Sequence, residues 1–162
     1  MPVLENYGQA IASTTIALQQ LVTSTLVGVQ VTTRTLDAAR TGMSGPSVNL
    51  FLYRDRLASY REGSDPRGPS RIIAELHYLV SVYPGDDADT DAVSQRAYGA
   101  ARAAIERHPV LTVPVGSESS AQVRLTSTAL TIKDLTSLWL SSTAPLRLSF
   151  GVTASFALNS AE

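Results

Sequence analysis

RIIAELHYLVSVYPGDDADTDAVSQRAYGAARAAIERHPVL, residues 71–111, joins a long strand pattern, an acidic turn and an alanine-rich helix pattern. Ile72, Ala74, Leu76, Tyr78, Val80 and Val82 recur at every second position, with Glu75, His77 and Ser81 between them. Side chains alternate across a strand, so the run predicts one long strand with one apolar face. Pro84-Gly85 stops it, because neither residue sustains a ladder and both favour turns. Asp86, Asp87, Asp89 and Asp91 then gather where the positive end of a helix dipole favours carboxylates. Val93, Ala97, Tyr98, Ala101, Ala104 and Ile105 follow at helical spacing, which predicts a helix over about 88–107 ended by Pro109. Alanine on that face allows close approach to the sheet it covers.

Upstream, Leu4, Tyr7, Ile11, Leu18, Leu21 and Thr25 form an apolar stripe that predicts a long helix over 4–26. Thr14, Thr15, Thr23 and Thr25 weaken it locally through lost rotamer freedom, and the stripe outweighs them. Gly28 ends it, and Val29, Val31 and Thr33 predict a short strand. Val48, Leu50 and Leu52 alternate with Asn49, Phe51 and Tyr53, a strand apolar on both faces and therefore expected in the middle of the sheet. From Arg54 to Arg71 the pattern dissolves, and two prolines and two glycines between residues 63 and 69 predict an exposed loop.

Downstream, Gly116 to Ala121 is a polar hairpin-like connection into a strand with Ala121, Val123 and Leu125 on one face and Gln122, Arg124 and Thr126 on the other. Thr131 and Asp134 form a capping pair ahead of Ile132, Leu135, Leu138 and Trp139, predicting a short helix over about 132–141. Leu146, Leu148, Phe150, Val152, Ala154, Phe156 and Leu158 are expected inward on a last strand, with Arg147, Ser149, Thr153 and Ser155 outward. The fold class expected is α+β: one domain over 1–162, a mixed, mostly antiparallel sheet packed with three helices.

A chain of 162 residues, 44% hydrophobic and 17% charged, suits one globular domain with a real core. A net charge of −1 gives no footprint for nucleic acid or anionic membrane. No apolar run reaches the ~18 residues of a membrane span, and the N-terminus, with Glu5 and no basic start, does not resemble a secretory signal. Synthesis and folding in the cytoplasm are the expectation. With zero cysteines there is neither disulfide nor thiol chemistry. Arginine outnumbers lysine twelve to one and serine plus threonine total 35. A GC-rich genome accounts for the first bias most simply, although guanidinium groups also suit interfaces.

Catalytic and metal readings find little support. Asp87, Asp89 and Asp91 begin like a calcium loop, but Ala92 and Tyr98 stand where that loop needs glycine and a closing glutamate. His77 reads as a strand residue beside Glu75, and His108 as a partner of the preceding helix end. No cysteine joins them as a zinc ligand. Gly42-Met43-Ser44-Gly45 is one residue short of a nucleophile elbow, there is no phosphate-binding glycine loop, and nothing local marks Glu75 and Glu106 as a catalytic carboxylate pair. No cofactor is expected. Arg54, Arg56, Arg61, Arg67 and Arg71 place five guanidiniums in eighteen residues, but Asp55, Glu62 and Asp65 interrupt them, so a solvated loop competes with one that docks on an acidic protein neighbour.

GPSVNLFLYR (45–54), ELHYLVSVY (75–83), HPVL (108–111) and the Leu135, Leu138, Trp139 segment before the last strand occur in one order. In that order they resemble the cap, or tube-terminator, proteins of phage-tail-like extracellular contractile injection systems. The resemblance implies a phage tail-terminator fold and a structural, non-enzymatic role. It implies a homo-hexameric ring on the distal end of the inner tube, touching the last sheath layer and ending tube and sheath polymerisation, in a particle assembled in the cytoplasm and kept there or released. The partners implied are the inner-tube ring, the sheath and further copies of the chain. Longer relatives continue beyond the position of Glu162, so an outermost plug and an adaptor to a second cap protein both stay open. Arg54, Arg56, Arg61, Arg67, Arg71 and Arg147 are the candidate interface residues. A baseplate or sheath-end component, or a small α+β enzyme or ligand-binding domain, are the alternatives.

Overall fold

The long alternating run forms a strand from Ser70 to Tyr83, and Ala74, Leu76, Tyr78, Val80 and Val82 along one side of it are at most 1% exposed. The computed structural model describes residues 6–61, 70–117 and 119–159. Their elements run α1 (Tyr7–Thr25), β1 (Gln30–Thr32), β2 (Ser47–Arg61), β3 (Ser70–Tyr83), α2 (Ala92–Arg107), β4 (Val110–Val115), β5 (Ser119–Thr128), α3 (Ile132–Leu140) and β6 (Ser149–Asn159). The strands form one sheet in the order β1-β2-β3-β6-β5-β4. Only the β1–β2 pair is parallel. The molecule is the single-domain α+β fold with a mixed, mostly antiparallel sheet that the sequence predicts.

The sheet curls around α1, which packs against both edge strands, β1 and β4, and against α2. Its Ala10, Thr14, Leu18 and Val22 enter the core. Thr15, Thr23 and Thr25 are accommodated by bonding back along the helix, as Thr15 Oγ1 donates to Ile11 O at 3.0 Å and Thr23 Oγ1 to Gln19 O at 2.8 Å, whereas the buried Thr14 hydroxyl has no partner. α2 lays Ala97, Ala101, Ala104 and Ile105 on the same concave face, with Tyr98 edge-on to Phe150 at 5.0 Å between ring centres. Burying a side chain such as Leu76, Leu18 or Phe150 is worth roughly 1.5–3 kcal/mol, so this layer carries most of the stability.

A second, smaller core lies on the convex face, where Leu36, Ala39, Leu79, Tyr83 and Trp139 cluster with Phe51, Tyr53, Leu135 and Leu138. α3 starts as predicted, with the Thr131 hydroxyl accepting from Asp134 N at 3.1 Å. Asp37 clasps the segment after α3, because its Oδ1 accepts from both N and Oγ1 of Thr143 at 2.8 Å. Those bonds hold its carboxyl below the ordinary aspartate range.

Several expectations are corrected. Residues 54–61 and 70–71 belong to β2 and β3 and not to a loop. β2 has a strand on both sides only over Ser47–Asn49, where β1 pairs with it. β4 was not expected as a strand; Pro114, which lacks an N–H, is tolerated there because β4 is an edge. α2 begins at Ala92 and not near 88, so Asp86, Asp87 and Asp89 occupy the preceding turn. Ile132 is exposed, as are Leu146 and Leu148, which precede β6, whereas Ser149 is buried. Leu4 and Arg67 lie outside the described residues.

Candidate assembly interface

The turn after β3 and the segment leading into β2 meet in a rigid joint. Gly85 has φ +98°, and a Cβ there would lie 3.2–3.3 Å from backbone atoms of Ser44, Gly45 and Pro46. Only glycine fits both demands. Asp86 N donates to Ser44 O at 2.8 Å. Arg40 completes the joint by donating to Gly45 O (2.6 Å), Ser47 Oγ (2.8 Å) and Asp86 Oδ1 (2.8 Å). Asn49, fully buried, accepts from Thr32 Oγ1 (2.8 Å) and Arg34 N (2.9 Å) and donates to Arg34 O (2.9 Å). These residues build the scaffold and leave the surface to others.

A β-bulge decides what that surface displays. Leu52 pairs with Tyr78, but Arg54 pairs with His77, so Tyr53 is the extra residue. Because strand side chains alternate, one inserted residue transfers everything after it to the opposite face. Arg54 and Arg56 therefore share the convex face with their partners His77 and Glu75, while Asp55 turns to the concave side. There the Tyr7 hydroxyl donates to Asp55 Oδ2 at 3.0 Å, and burial first, then Asp55, push that tyrosine up to about 12.

On the convex face, Arg56 lies 3.7 Å from Glu75, and His77 Nε2 lies 3.8 Å from the same carboxylate oxygen. Register continues the row through Thr153 and Ser155 on β6 to Arg124 and Gln122 on β5 and Thr112 and Val110 on β4. Ile73, Ala157 and Val110 are exposed among these polar groups, and Ile73, Val110, Gln122, Arg124 and Ser155 line a shallow depression of about 410 Å³. The result is an open convex surface with guanidiniums at both margins and apolar patches between them, the composition of a protein-docking face.

Of the predicted site residues, Arg54 and Arg56 lie together on this face, and Arg71 is exposed at the start of β3. Arg61 continues β2, and Arg67 is outside the described residues. Arg147 is elsewhere. It does not point outward to solvent as expected but lies half-buried over the Tyr83 ring, 5.8 Å from its centre, with Arg40 at 5.6 Å from the same ring. Arg124 was missed as a site residue; its signal was its place on the polar side of the 121–126 alternation.

The groups weighed for catalysis have separate partners. Glu75 faces Arg56 and His77, Glu106 accepts from the Ser127 hydroxyl, and His108 Nδ1 meets Ala104 O at 3.0 Å at the end of α2. Among the described residues, no cluster of three or more histidines and carboxylates is placed to hold a metal ion. No helix among them is long and apolar enough to cross a membrane.

Comparison with known proteins agrees with this architecture. The family model described as the Pvc16 N-terminal domain matches residues 13–161. The sheath/tube terminator of an extracellular contractile injection system, PVC, in its extended state shares the fold at a TM-score of 0.61 and 16% identity, over 94% of this chain and 57% of that one. The tube-terminating cap of the anti-feeding prophage, AFP, does so at 0.61 and 14%, over 92% and 55%. This chain thus spans a little over half the length of each. No curated protein matches it by sequence. The first of these solved proteins is a sheath/tube terminator and the second a tube-terminating cap. The chain belongs to the Pvc16 N-terminal domain family.

Proposed function

We propose that this protein is a structural terminator that forms a homo-hexameric ring on the distal end of the inner tube of a contractile injection particle, with residues 1–162 acting as one terminator-like domain. The ring touches the last sheath layer and stops addition of further tube and sheath subunits. Assembly takes place in the cytoplasm. The observation that carries this reading is the family match over residues 13–161, joined to a fold shared with two tube-terminating proteins. The convex face supports it, because an exposed surface carrying Arg54, Arg56 and Arg124 around Ile73 and Val110 suits contact with protein neighbours.

The test is particle length in a strain lacking the gene. Electron microscopy of released or extracted particles should show broadened tube lengths and open tube ends, both reversed by restoring the gene. Unchanged lengths with normal ends would remove the terminator role.

A further inference from the structure

We infer that the subunits of this ring join head to tail, the arginine-bearing convex face of one copy seating on the aspartate tip of a second copy. The inference rests on the ring reading and names the surfaces that would make it. One chain carries both halves of a complementary pair. Arg54, Arg56 and Arg124 are exposed on the convex face, and Asp87, Asp89 and Asp91 are exposed in the turn after β3.

Within one copy these groups do not meet. Arg56 is paired in register with Glu75, eight residues before the end of β3 at Tyr83. At about 3.3 Å per residue that is roughly 26 Å, well beyond the Debye length of about 8 Å at physiological salt. A second copy can bring them together, in competition with Glu75 beside Arg56 and with Arg147, which lines the same depression as Asp89 and Asp91. A surface that meets a different surface on its neighbour is the geometry that propagates around a ring. The net charge of −1 means that copies do not repel one another as wholes.

Both halves are held in place before they meet. The tip is fixed because Gly85 packs on Gly45 and Pro46, Asp86 N donates to Ser44 O, and Arg40 holds Asp86 at 2.8 Å. The outer aspartates consequently project from a rigid turn. Arg54 and Arg56 stand on paired strand backbone whose bulge fixes the face they occupy. Less ordering entropy is lost when prearranged groups dock.

The test uses two variants of the full chain and their mixture, followed by native mass spectrometry and sedimentation at low and high salt. R54E/R56E places acids on the face opposite an acidic tip, and D87R/D89R places arginines on the tip opposite a basic face. Each alone should associate at least about tenfold more weakly than the unaltered protein. Mixed together they should assemble again, because the Glu face meets the Arg tip and the Arg face meets the Asp tip in alternation. Circular dichroism checks folding, and R54Q/R56Q, with the salt dependence of the unaltered ring, serves if a reversal variant fails to fold.

Variants that assemble normally, or a mixture that stays monomeric, overturn the inference. A ring that forms normally with R54E/R56E but no longer binds tube ends also overturns it and assigns the face to the tube. An unaltered protein that stays monomeric at high concentration overturns it as well, while the particle-length experiment judges the terminator role independently.

Discussion

Asn49 binds both backbone groups of Arg34: its Oδ1 accepts from Arg34 N and its Nδ2 donates to Arg34 O, each at 2.9 Å. The side chain thereby continues the β1 ladder two residues past Thr32, where backbone pairing with β2 stops. Its third bond, from Thr32 Oγ1, leaves this fully buried amide well satisfied.

Replacing Asn49 by aspartate keeps the shape and acceptor but removes the donor and buries a charge. N49D should lower stability by about 2–4 kcal/mol, and N49A by somewhat less. Urea unfolding monitored by circular dichroism checks both, through a lower midpoint at an unchanged slope.

Gly85 and Gly45 should answer differently to alanine. G85A must accept φ +98° and a Cβ pressed at 3.2–3.3 Å on backbone that cannot swing aside, so a loss of roughly 1–3 kcal/mol is expected. At Gly45 the added Cβ meets nothing within 4 Å and φ is not in the left-handed region. G45A should change stability by less than about 0.5 kcal/mol. Thermal melts of the two variants side by side make the comparison.

Arg40 and Arg147 both approach the Tyr83 ring, but their hydrogen bonding differs. Arg40 holds Gly45, Ser47 and Asp86, so R40M should lose roughly 1.5–3 kcal/mol. Arg147 Nε is buried without a partner. R147M keeps apolar contact with the ring and removes that orphan donor, so stability should stay within about 0.5 kcal/mol or rise. Denaturant midpoints of the two variants separate these outcomes.

High pH should unfold the concave core through Tyr78. Burial raises this hydroxyl from 10.0 to about 12, opposed in part by its 2.7 Å bond with the Thr15 hydroxyl. The folded state therefore holds the proton more tightly than the unfolded chain. That contribution, about 3 kcal/mol at 1.36 kcal/mol per pKa unit, is complete below pH 10 and is lost as pH rises through about 12. Y78F should reduce the fall in stability between pH 10 and 12, and Tyr7, also pushed up to about 12, together with Tyr53 and Tyr83, both raised by burial, should account for what remains. Denaturant midpoints over that range, with tyrosinate absorbance recorded in parallel, are the measurement.

Local chemistry was legible wherever one element contained its own cause. The period-two run from Ile72 to Val82 needed only the geometry of a strand to declare its buried side. Thr131 and Asp134 announced a helix start three residues apart, and His108 took the helix-end role its position suggested. The four ordered motifs resembled the family that residues 13–161 match.

What escaped the sequence depended on distant neighbours. The acids at 86–91 suggested an early helix start, yet Asp86 answers to Arg40, 46 positions away. Pro114 hid β4 because tolerance of a proline depends on whether the strand lies at an edge. Arg147 looked outward by alternation, but the ring of Tyr83 draws it back across the convex core.

The α+β class, the long central strand, the capped third helix and the family can all be read from local patterns along the chain. The direction in which the arginines face is set by strand pairing. A single bulge at Tyr53, visible solely as a shift between Leu52–Tyr78 and Arg54–His77, turns Arg54 and Arg56 onto the convex surface, while β2 runs on to Arg61 into the stretch expected as a loop. The physical reason is that strand periodicity is local, whereas register belongs to the pair of strands, and a one-residue change in register reverses every side chain beyond it.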